Sequence, residues 1–177
     1  MQANNQPGSE SGLQFADVYD QHFDAVNRYL RYRVENPWDA DDLTAGVFLK
    51  VLENWYRFRG EAPWAVWIFR IAHNLYIDYL RGRQGKVFSP EELHHLGGGG
   101  SGPEEKMLQS EEAQRLRAML AQLAPEQRDV ISLRYAGELK FSQIAAVLNK
   151  SEPAVRMIHH RALKALRAEY QKDSEGR

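Results

Sequence analysis

A basic face near the C-terminus is the first feature of the sequence with a definite chemistry. The apolar period predicts a helix over residues 152–170, and at about 100° per residue its positive and polar side chains gather opposite the apolar ones. These side chains are Arg156, Met157, His160, Arg161, Lys164 and Arg167. Arginine and lysine neutralise DNA phosphates, and arginine also reads guanine edges in the major groove. The face predicts duplex DNA binding; the alternative is the solvated side of an ordinary helical hairpin.

The residues before this helix have the pattern of a helix-turn-helix. Residues 141–148 form one apolar stripe, in which the small Ala145 allows a crossing helix to approach closely. Asn149 suits a left-handed residue after a helix, and Ser151 is a good N-cap for the next one. Pro153 is tolerated in a first turn. The second helix of such a motif enters the major groove, where a basic face is needed.

Metal and catalytic chemistry have no comparable support. His159 and His160 are adjacent, so their side chains point apart on a helix, and no third ligand is evident. We find no Ser/His/Asp set, paired carboxylates or metal-ligand spacing in the sequence. We therefore expect no enzymatic activity, no metal and no cofactor.

Charge is distributed unevenly along the chain, whose formal net charge is −1. Residues 1–85 contain 9 Lys and Arg against 11 Asp and Glu, whereas residues 111–177 contain 12 against 9. Because nonspecific DNA affinity depends on neutralising phosphates, the C-terminal part is better suited to DNA, and the whole chain is expected to need a partner.

Composition also bears on where the protein works. The sequence lacks the run of about eighteen apolar residues that a membrane span needs. Its first residues do not have the basic and then apolar profile of a signal peptide. It contains no cysteine and hence no disulfide framework, which suits the cytoplasm. We expect a cytoplasmic protein with no membrane span.

Helical periodicity predicts an all-α fold of two small helical domains joined by a flexible linker. We place the linker around residues 97–102 because they are all Gly or Ser. Natural and engineered flexible linkers share this composition. The predicted boundaries are 1–12 for a disordered tail, 13–84 for the first domain, 85–108 for the linker, 109–172 for the second domain and 173–177 for a final tail. Beyond a first amphipathic helix, the predicted helices cover 40–55, 64–81, 110–123, 125–135, 141–148 and 152–170.

Three stretches of the chain resemble sigma factors of the sigma-70 family. Residues 39–51 resemble the acidic and then apolar helix that docks on core RNA polymerase. Residues 58–81 resemble region 2, with Phe-Arg-Gly, a short loop, a Trp and then Arg-Ile-Ala-x-Asn followed by Asp and Arg. Residues 123–135 and the helix-turn-helix resemble region 4. Both regions occur in order without intervening domains, as in the extracytoplasmic-function (ECF) subgroup.

The resemblance implies a transcription initiation factor whose region 2 melts and reads the minus-ten promoter element and whose region 4 reads the minus-thirty-five element. Region 2 would hold a flipped base by stacking and by hydrogen bonds to its edge. By motif position, Asn74 would read this base, and its pocket would be closed by Phe58, Arg59 and Gly60 and flanked by Trp64, Trp67, Arg70 and His73. Arg81 is a further predicted DNA contact of region 2. For Trp67, plain core packing is the alternative.

The resemblance also assigns the other contacts. Arg156, Met157, His160, Arg161 and Lys164 would contact the minus-thirty-five element. Core polymerase would be bound by Asp39, Asp41, Asp42, Leu43, Thr44, Phe48 and Leu49. The implied partners are core RNA polymerase, promoter DNA and an anti-sigma factor.

The chain departs from the family pattern in two helices. Ala45 and Gly46 stand where the family usually has Gln-Glu, and a mid-helix glycine costs about 1 kcal/mol relative to alanine. His159 takes a position that is usually apolar, whereas Ile158 is apolar where the family is often polar. A small rotation of the helix would restore burial and shift the DNA contacts by one residue.

Two other functions remain as alternatives at this point. A stand-alone helix-turn-helix regulator would bind duplex DNA unaided, but it leaves the aromatic segment 58–74 unexplained. A helical enzyme has no catalytic or metal-ligand spacing in its support. A partner-binding scaffold should co-purify with its partner but support no promoter-specific transcript.

Overall fold

The computed structural model describes residues 14–84 and 111–175, and the side chains of 14–82 and 111–172. Within these ranges every regular element is helical, so the all-α prediction is confirmed. The helices are α1 Phe15–Arg33, α2 Pro37–Glu53, a 3-10 turn Trp55–Arg57, α3 Trp64–Gln84, α4 Glu111–Ala121, α5 Pro125–Ile131, a π-helical turn Ser132–Ala136, α6 Phe141–Leu148 and α7 Glu152–Glu175. The predicted tail 1–12 and linker 85–108 lie outside the described residues.

Helices α1 to α3 pack around a shared apolar interior. Asn36 caps α2, because its side-chain oxygen accepts a hydrogen bond from the Trp38 amide, and Pro37 occupies the first helical turn. The three helices bury Leu30, Val47 and Ile68 completely. Burial on one face of each helix is what their helical spacing predicts.

Helices α6 and α7 form the predicted helix-turn-helix. Asn149 ends α6 in the left-handed conformation, with φ 53° and ψ 48°. The Ser151 hydroxyl accepts a hydrogen bond of 3.3 Å from the Ala154 amide at the start of α7. α7 continues to Glu175, past the predicted boundary at 172.

The segment between α5 and α6 differs from the prediction of one helix over 125–135. At Ser132 the chain widens into a π-helical turn, and the Gly137 amide donates a hydrogen bond of 3.0 Å to the Ser132 carbonyl. This turn lies against α1 and brings Leu133 and Ala136 into the interior. Local periodicity does not reveal it, because the packing partner lies in the other half of the chain.

The two halves of the chain pack directly on one another. We expected a separate small core in each half; instead Phe69 of α3 belongs to the same apolar cluster as Val130, Leu133 and Ile144. A second, smaller cluster in the C-terminal half contains Leu120, Leu123, Ile131 and Ala162. Small domains bury a smaller fraction of their apolar surface than large ones, so two halves of this size gain by sharing a core.

Candidate nucleic-acid interface

Aromatic side chains gather at the start of α3 and in the loop before it. Trp64 stacks on Trp55 with ring centroids 4.5 Å apart and on Phe58 with centroids 3.5 Å apart. Trp67 completes the group, 5.4 Å from Phe58 and 5.6 Å from Trp64. We call Trp55, Phe58, Trp64 and Trp67 the aromatic cluster. All four are partly exposed, so the cluster offers π-faces near the surface on which a base can stack.

The loop between the 3-10 turn and α3 depends on Gly60. Its φ is +71°, a left-handed conformation that favours glycine, and nothing lies within 4 Å of the position of a Cβ. Conformation rather than crowding therefore selects glycine here. The neighbouring Arg59 is exposed.

One face of α3 carries the predicted base-reading residues. Arg70, His73 and Asn74 are three and four positions apart, which places them together on the helix surface. Asn74 is exposed, and His73 Nδ1 lies 3.2 Å from the Tyr29 hydroxyl. Burial lowers the pKa of His73, with a further lowering by Arg33 and an opposing effect of Asp129. Neutral imidazole is therefore favoured at this site.

This face of α3 looks across a cleft toward the helix-turn-helix. The cleft has a volume of about 510 Å³ and is lined on its far side by Val147, Leu148 and Asn149. Arg70 bridges it by donating a hydrogen bond of 2.7 Å from Nη2 to the Ala146 carbonyl. Arg81 lies farther along α3, exposed and 3.7 Å from Asp78.

The outer face of α7 presents the basic side chains predicted to contact DNA. Arg156, Met157, His160, Arg161 and Lys164 are all exposed. Val155 and Ala162 are buried, so the helix keeps the orientation expected from its apolar arc. His159 is half-buried, and its Nε2 lies 3.0 Å from the Tyr135 hydroxyl. Tyr135 thus accommodates the unusual histidine, and the helix does not rotate.

Arg156 is already engaged within the protein. Its guanidinium bonds to the Glu152 carboxylate at 2.6 Å and lies 4.6 Å from the centroid of the Phe141 ring. Arg161 has no ion-pair partner within the described part of the chain. Of the two arginines, Arg161 is the more available to a phosphate.

Helix α2 divides the predicted polymerase-binding residues between its outer face and the interior. Asp42 is exposed, and Leu49 has 56% of its surface exposed. Asp39 accepts a hydrogen bond from the Tyr79 hydroxyl at 2.6 Å, and Asp41 pairs with Arg31. Leu43 is half-buried.

Two residues of this set require a correction. Thr44 and Phe48 are buried, and the Thr44 hydroxyl donates to the Ala40 carbonyl at 2.7 Å and accepts from Asn27 at 3.1 Å. Their predicted contact with polymerase does not fit this geometry, because both side chains face the interior of the bundle. The exposed Leu52 was missed, although it follows Leu49 by three positions and continues its face.

Two family models match the chain in the order of its two helical halves. The model described as Sigma-70 region 2 matches residues 18–86, and that described as Sigma-70, region 4 matches residues 119–168. The ECF RNA polymerase sigma factor ShbA of Streptomyces griseus is 33% identical over 151 residues, covering 80% of this chain and 79% of ShbA. The chain is an ECF sigma factor of the sigma-70 family.

Other relatives agree with this membership. The RNA polymerase sigma factor YlaC of Bacillus subtilis is 29% identical over 162 residues, covering 90% of this chain and 93% of YlaC. The ECF sigma factor BldN of Streptomyces coelicolor is also 29% identical, over 86% of this chain. This chain spans only 58% of the length of BldN. Members of the family are transcription initiation factors rather than enzymes.

Solved structures support the fold of the whole ECF sigma factor. The sigma factor RpoE of Bartonella quintana, solved with the anti-sigma factor NepR, matches with a TM-score of 0.71 at 18% identity, over 89% of this chain and 96% of RpoE. CnrH, solved with the cytosolic domain of CnrY, matches with a TM-score of 0.68 at 24% identity, over 90% of this chain and 88% of CnrH.

In this ECF sigma factor, the region 2 match spans nearly all of α1 to α3, and the region 4 match runs from the end of α4 through most of α7. The structure brings most of the predicted region 2 residues into two neighbouring groups, the aromatic cluster at and before the start of α3 and the Arg70–His73–Asn74 face of α3. Arg59 and Gly60 lie in the loop before α3, and Arg81 lies farther along it. The predicted region 4 residues lie together on the outer face of α7. None of the helices in 14–84 and 111–175 is long and apolar enough to cross a membrane.

Proposed function

We propose that this ECF sigma factor binds core RNA polymerase and directs it to promoters by reading the minus-ten element with region 2 and the minus-thirty-five element with region 4. One observation carries the proposal: a surface suited to single-stranded bases and a surface suited to duplex DNA occur on two regions of one chain. A stand-alone helix-turn-helix regulator needs only the second surface.

The surface for core polymerase is the outer face of α2. Asp42, Ala45, Leu49 and Leu52 follow one another at intervals of three and four residues, and all four are exposed. Leu49 and Leu52 are 56% and 51% exposed. Large apolar side chains clustered on a surface fit a partner protein. Thr44 and Phe48 support this face from the interior.

The surface for the minus-ten element combines stacking with hydrogen bonding. The aromatic cluster supplies π-faces, and the exposed Asn74 amide has both donors and an acceptor for a base edge. Arg59, Arg70 and Arg81 are exposed, and their positive charge suits the phosphates of a single strand. His73, neutral at ordinary pH, adds a hydrogen-bonding group without charge.

The surface for the minus-thirty-five element is the exposed face of α7. Arg161 and Lys164 offer charge to phosphates, while Met157 and His160 are exposed beside them and can meet base edges. Because the whole chain has a net charge of −1, a large share of the affinity for promoters must come from core polymerase. We place this activity in the cytoplasm, where polymerase and DNA are available.

An anti-sigma factor is the third partner that we infer. The sigma factor RpoE, which shares this fold, was solved with the anti-sigma factor NepR, and CnrH, which also shares it, was solved with the cytosolic domain of CnrY. An anti-sigma factor would act by covering the surfaces for polymerase or DNA.

The proposal is tested by run-off transcription with core polymerase and a promoter library. We expect promoter-specific transcripts only when both the sigma factor and core polymerase are present. Replacing Leu49 and Leu52 together with Ser should abolish transcripts and polymerase binding, while circular dichroism stays unchanged. Leu80→Ser, which changes a leucine that is 38% exposed on another helix, is the matched control. Tight, sequence-specific duplex binding by the chain alone, with no effect of polymerase, would contradict the proposal.

A further inference from the structure

A cavity lies where α1 meets the π-helical turn that follows α5. Its volume is about 320 Å³, which falls in the range of about 300–1,000 Å³ that is typical of small-molecule sites. Helices α4 and α7 complete its walls. Most of the side chains that line it are apolar or aromatic, among them Tyr32, Leu116, Leu120, Ile131, Ala136 and Leu166. A space of this size and lining suits a mainly apolar molecule.

Polar contacts between α1 and region 4 hold two walls of the cavity together. Arg28 donates from Nε to the Ala136 carbonyl at 3.0 Å and from Nη2 to the Glu138 carboxylate at 2.7 Å. Arg33 forms an ion pair with Asp129, in which the two side chains are 3% and 15% exposed. We call the side of region 4 that offers these acceptors to α1 its inner face. Because these contacts fix both walls, the cavity is formed before a ligand arrives.

The π-helical turn supplies a third of the lining. Ser132, Tyr135 and Ala136 belong to this turn, and all three line the cavity. Turns of this kind are rare inside helices and occur frequently at functional sites. The turn therefore deserves a functional explanation, and the surfaces for polymerase and DNA do not provide one.

Ser132 carries a polar group that the protein itself does not use. The residue lines the cavity and is only 4% exposed. Its hydroxyl is buried and has no hydrogen-bond partner within the described part of the chain. A buried hydroxyl without a partner costs free energy, because it has lost its hydrogen bonds to water. A ligand that forms a hydrogen bond with Ser132 would recover this cost.

Two other polar side chains of the lining already have partners. The Tyr135 hydroxyl lies 3.0 Å from Nε2 of His159. The Arg28 guanidinium is held by the two acceptors named above, one of which is the Glu138 carboxylate. An anionic ligand would have to compete with Glu138 for Arg28, and a cationic ligand would be repelled by Arg28. The lining therefore favours an uncharged ligand.

We propose that this cavity is a binding site for a small, uncharged and mainly apolar molecule that carries one hydrogen-bonding group, which meets the Ser132 hydroxyl. The site goes beyond the proposed function, because its lining includes none of the residues assigned to polymerase or DNA. Its walls come from both halves of the chain. A ligand that needs both walls stabilises their packing by mass action.

Calorimetric titration of the full chain with 2-naphthol tests the proposal. This probe is uncharged at neutral pH and has an apolar body with one hydroxyl, and naphthalene is the matched probe without the hydroxyl. We expect one molecule of 2-naphthol to bind per chain, about three- to tenfold more tightly than naphthalene, because one hydrogen bond is added. Ser132→Ala should remove this difference and leave the affinity for naphthalene unchanged.

A larger side chain in the wall tests the location of the site. Leu116→Trp should weaken the binding of both probes about tenfold or more, because the indole fills part of the cavity. Leu80→Trp is the matched control, since Leu80 is 38% exposed, close to the 41% of Leu116, but does not line the cavity. Circular dichroism should show that both variants are folded. Absence of 2-naphthol binding to the parent chain, or equal binding to the parent, Ser132→Ala and Leu116→Trp, would overturn the proposal.

Thermal unfolding of the free protein gives a second and independent measurement. Ser132→Ala removes a buried hydroxyl that has no partner, so it should raise the melting temperature by a few degrees. A lower melting temperature would show that the hydroxyl is hydrogen-bonded in the free protein, which would overturn its role in binding a ligand. These measurements involve neither polymerase nor DNA, so their outcome does not depend on the proposed function.

Discussion

At the scale of single residues, Asn74 carries the most specific prediction. Its amide is exposed on α3 beside the aromatic cluster. Asn74→Ala should remove discrimination at one minus-ten position, worth about 1–3 kcal/mol, because hydrogen bonds to a base edge are lost. The measurement is run-off transcription from promoters that carry each base at each minus-ten position. Asp78→Ala, four residues farther along the same helix and also exposed, serves as the control. An unchanged base preference throughout would remove Asn74 from the reading surface.

Arg161 and Arg156 should differ in their effects on the minus-thirty-five element. Either alanine variant should reduce dependence on that element. Arg161→Ala should also flatten the salt dependence of DNA binding by about one unit, because its guanidinium is available for a phosphate. Arg156→Ala should do less, since Glu152 holds this side chain in the free protein. Promoter binding titrated with salt measures both effects, with Lys172→Ala as the control at the far end of α7. Unaltered promoter strength in the double variant would shift the assignment to Met157 and His160.

His73 should make folding stability depend on pH. Burial lowers the pKa of His73 below its ordinary value of 6.5. As pH falls through about 6.5, the unfolded chain takes up a proton that the folded chain does not, so stability decreases with acidification by at most about 1.4 kcal/mol per pH unit. Urea unfolding between pH 5.5 and 8.5 should show a smaller pH slope in His73→Gln. An identical slope in the parent protein and in His73→Gln would mean that His73 is protonated equally in the folded and the unfolded states.

At the scale of elements, α2 contains a glycine that its surroundings do not require. A Cβ at Gly46 would meet Leu75 at 3.8 Å, an ordinary van der Waals distance. Gly46→Ala should therefore stabilise the protein by about 1 kcal/mol, the difference in helix propensity. Urea unfolding measures the gain, and polymerase binding should be retained because the side chain points toward α3. A loss of stability would show that α2 needs a backbone distortion at this position.

Helix positions were largely predictable from the sequence, whereas the inner and outer faces of one helix were not. α6 begins at Phe141 and ends at Leu148 as predicted, because apolar spacing and Asn149 mark it locally. In α2 the family motif named Thr44 and Phe48 together with Leu49, although only Leu49 is exposed. A sequence motif shows which residue types recur at given positions, whereas the burial of a residue in α2 depends on where α1 and α3 pack against it.

The π-helical turn could not be predicted from the local sequence pattern. A single helix over 125–135 satisfies the spacing of Val130 and Leu133 equally well. The turn exists where region 4 meets α1, and the Arg28 side chain bonds to its last carbonyl, that of Ala136. The conformation of this turn depends on a contact with a residue more than a hundred positions away, so the local sequence does not predict it.

At the scale of the whole molecule, the Arg33–Asp129 pair should contribute more to stability than the Arg28–Glu138 pair. Asp129→Ala leaves a buried guanidinium unpaired and should cost about 3–5 kcal/mol. Glu138→Ala removes a carboxylate that is 71% exposed and should cost about 1 kcal/mol or less. Urea unfolding of the intact chain compares the two.

A double replacement separates charge from packing at this pair. Arg33→Met with Asp129→Leu removes both charges and should recover most of the stability lost in Asp129→Ala, since no buried charge remains. If the double variant is no more stable than Asp129→Ala, the loss comes from disturbed packing and not from the orphaned charge.

The packing of the two halves of the chain on one another could not have been predicted from the sequence. Each contributing residue has an unremarkable local setting: Arg33 ends an ordinary helix, and Asp129 lies in the middle of another. Their pairing depends on how two regions of one chain meet, which neither periodicity nor motif position encodes. Charge counts along the chain likewise did not show that region 4 has an acceptor-rich inner face.

The aromatic cluster also gives the protein an optical property. All four tryptophans of the chain lie between residues 38 and 67, and three of them belong to the cluster. The tryptophan emission of the intact protein therefore originates in region 2 alone, because the aromatic residues of region 4 include tyrosine but no tryptophan. A base that stacks on the cluster would quench this emission, so the arrival of promoter DNA at region 2 can be timed in an unlabelled protein. The time course of quenching after polymerase and promoter are mixed with the protein would give the rate at which promoter DNA reaches region 2.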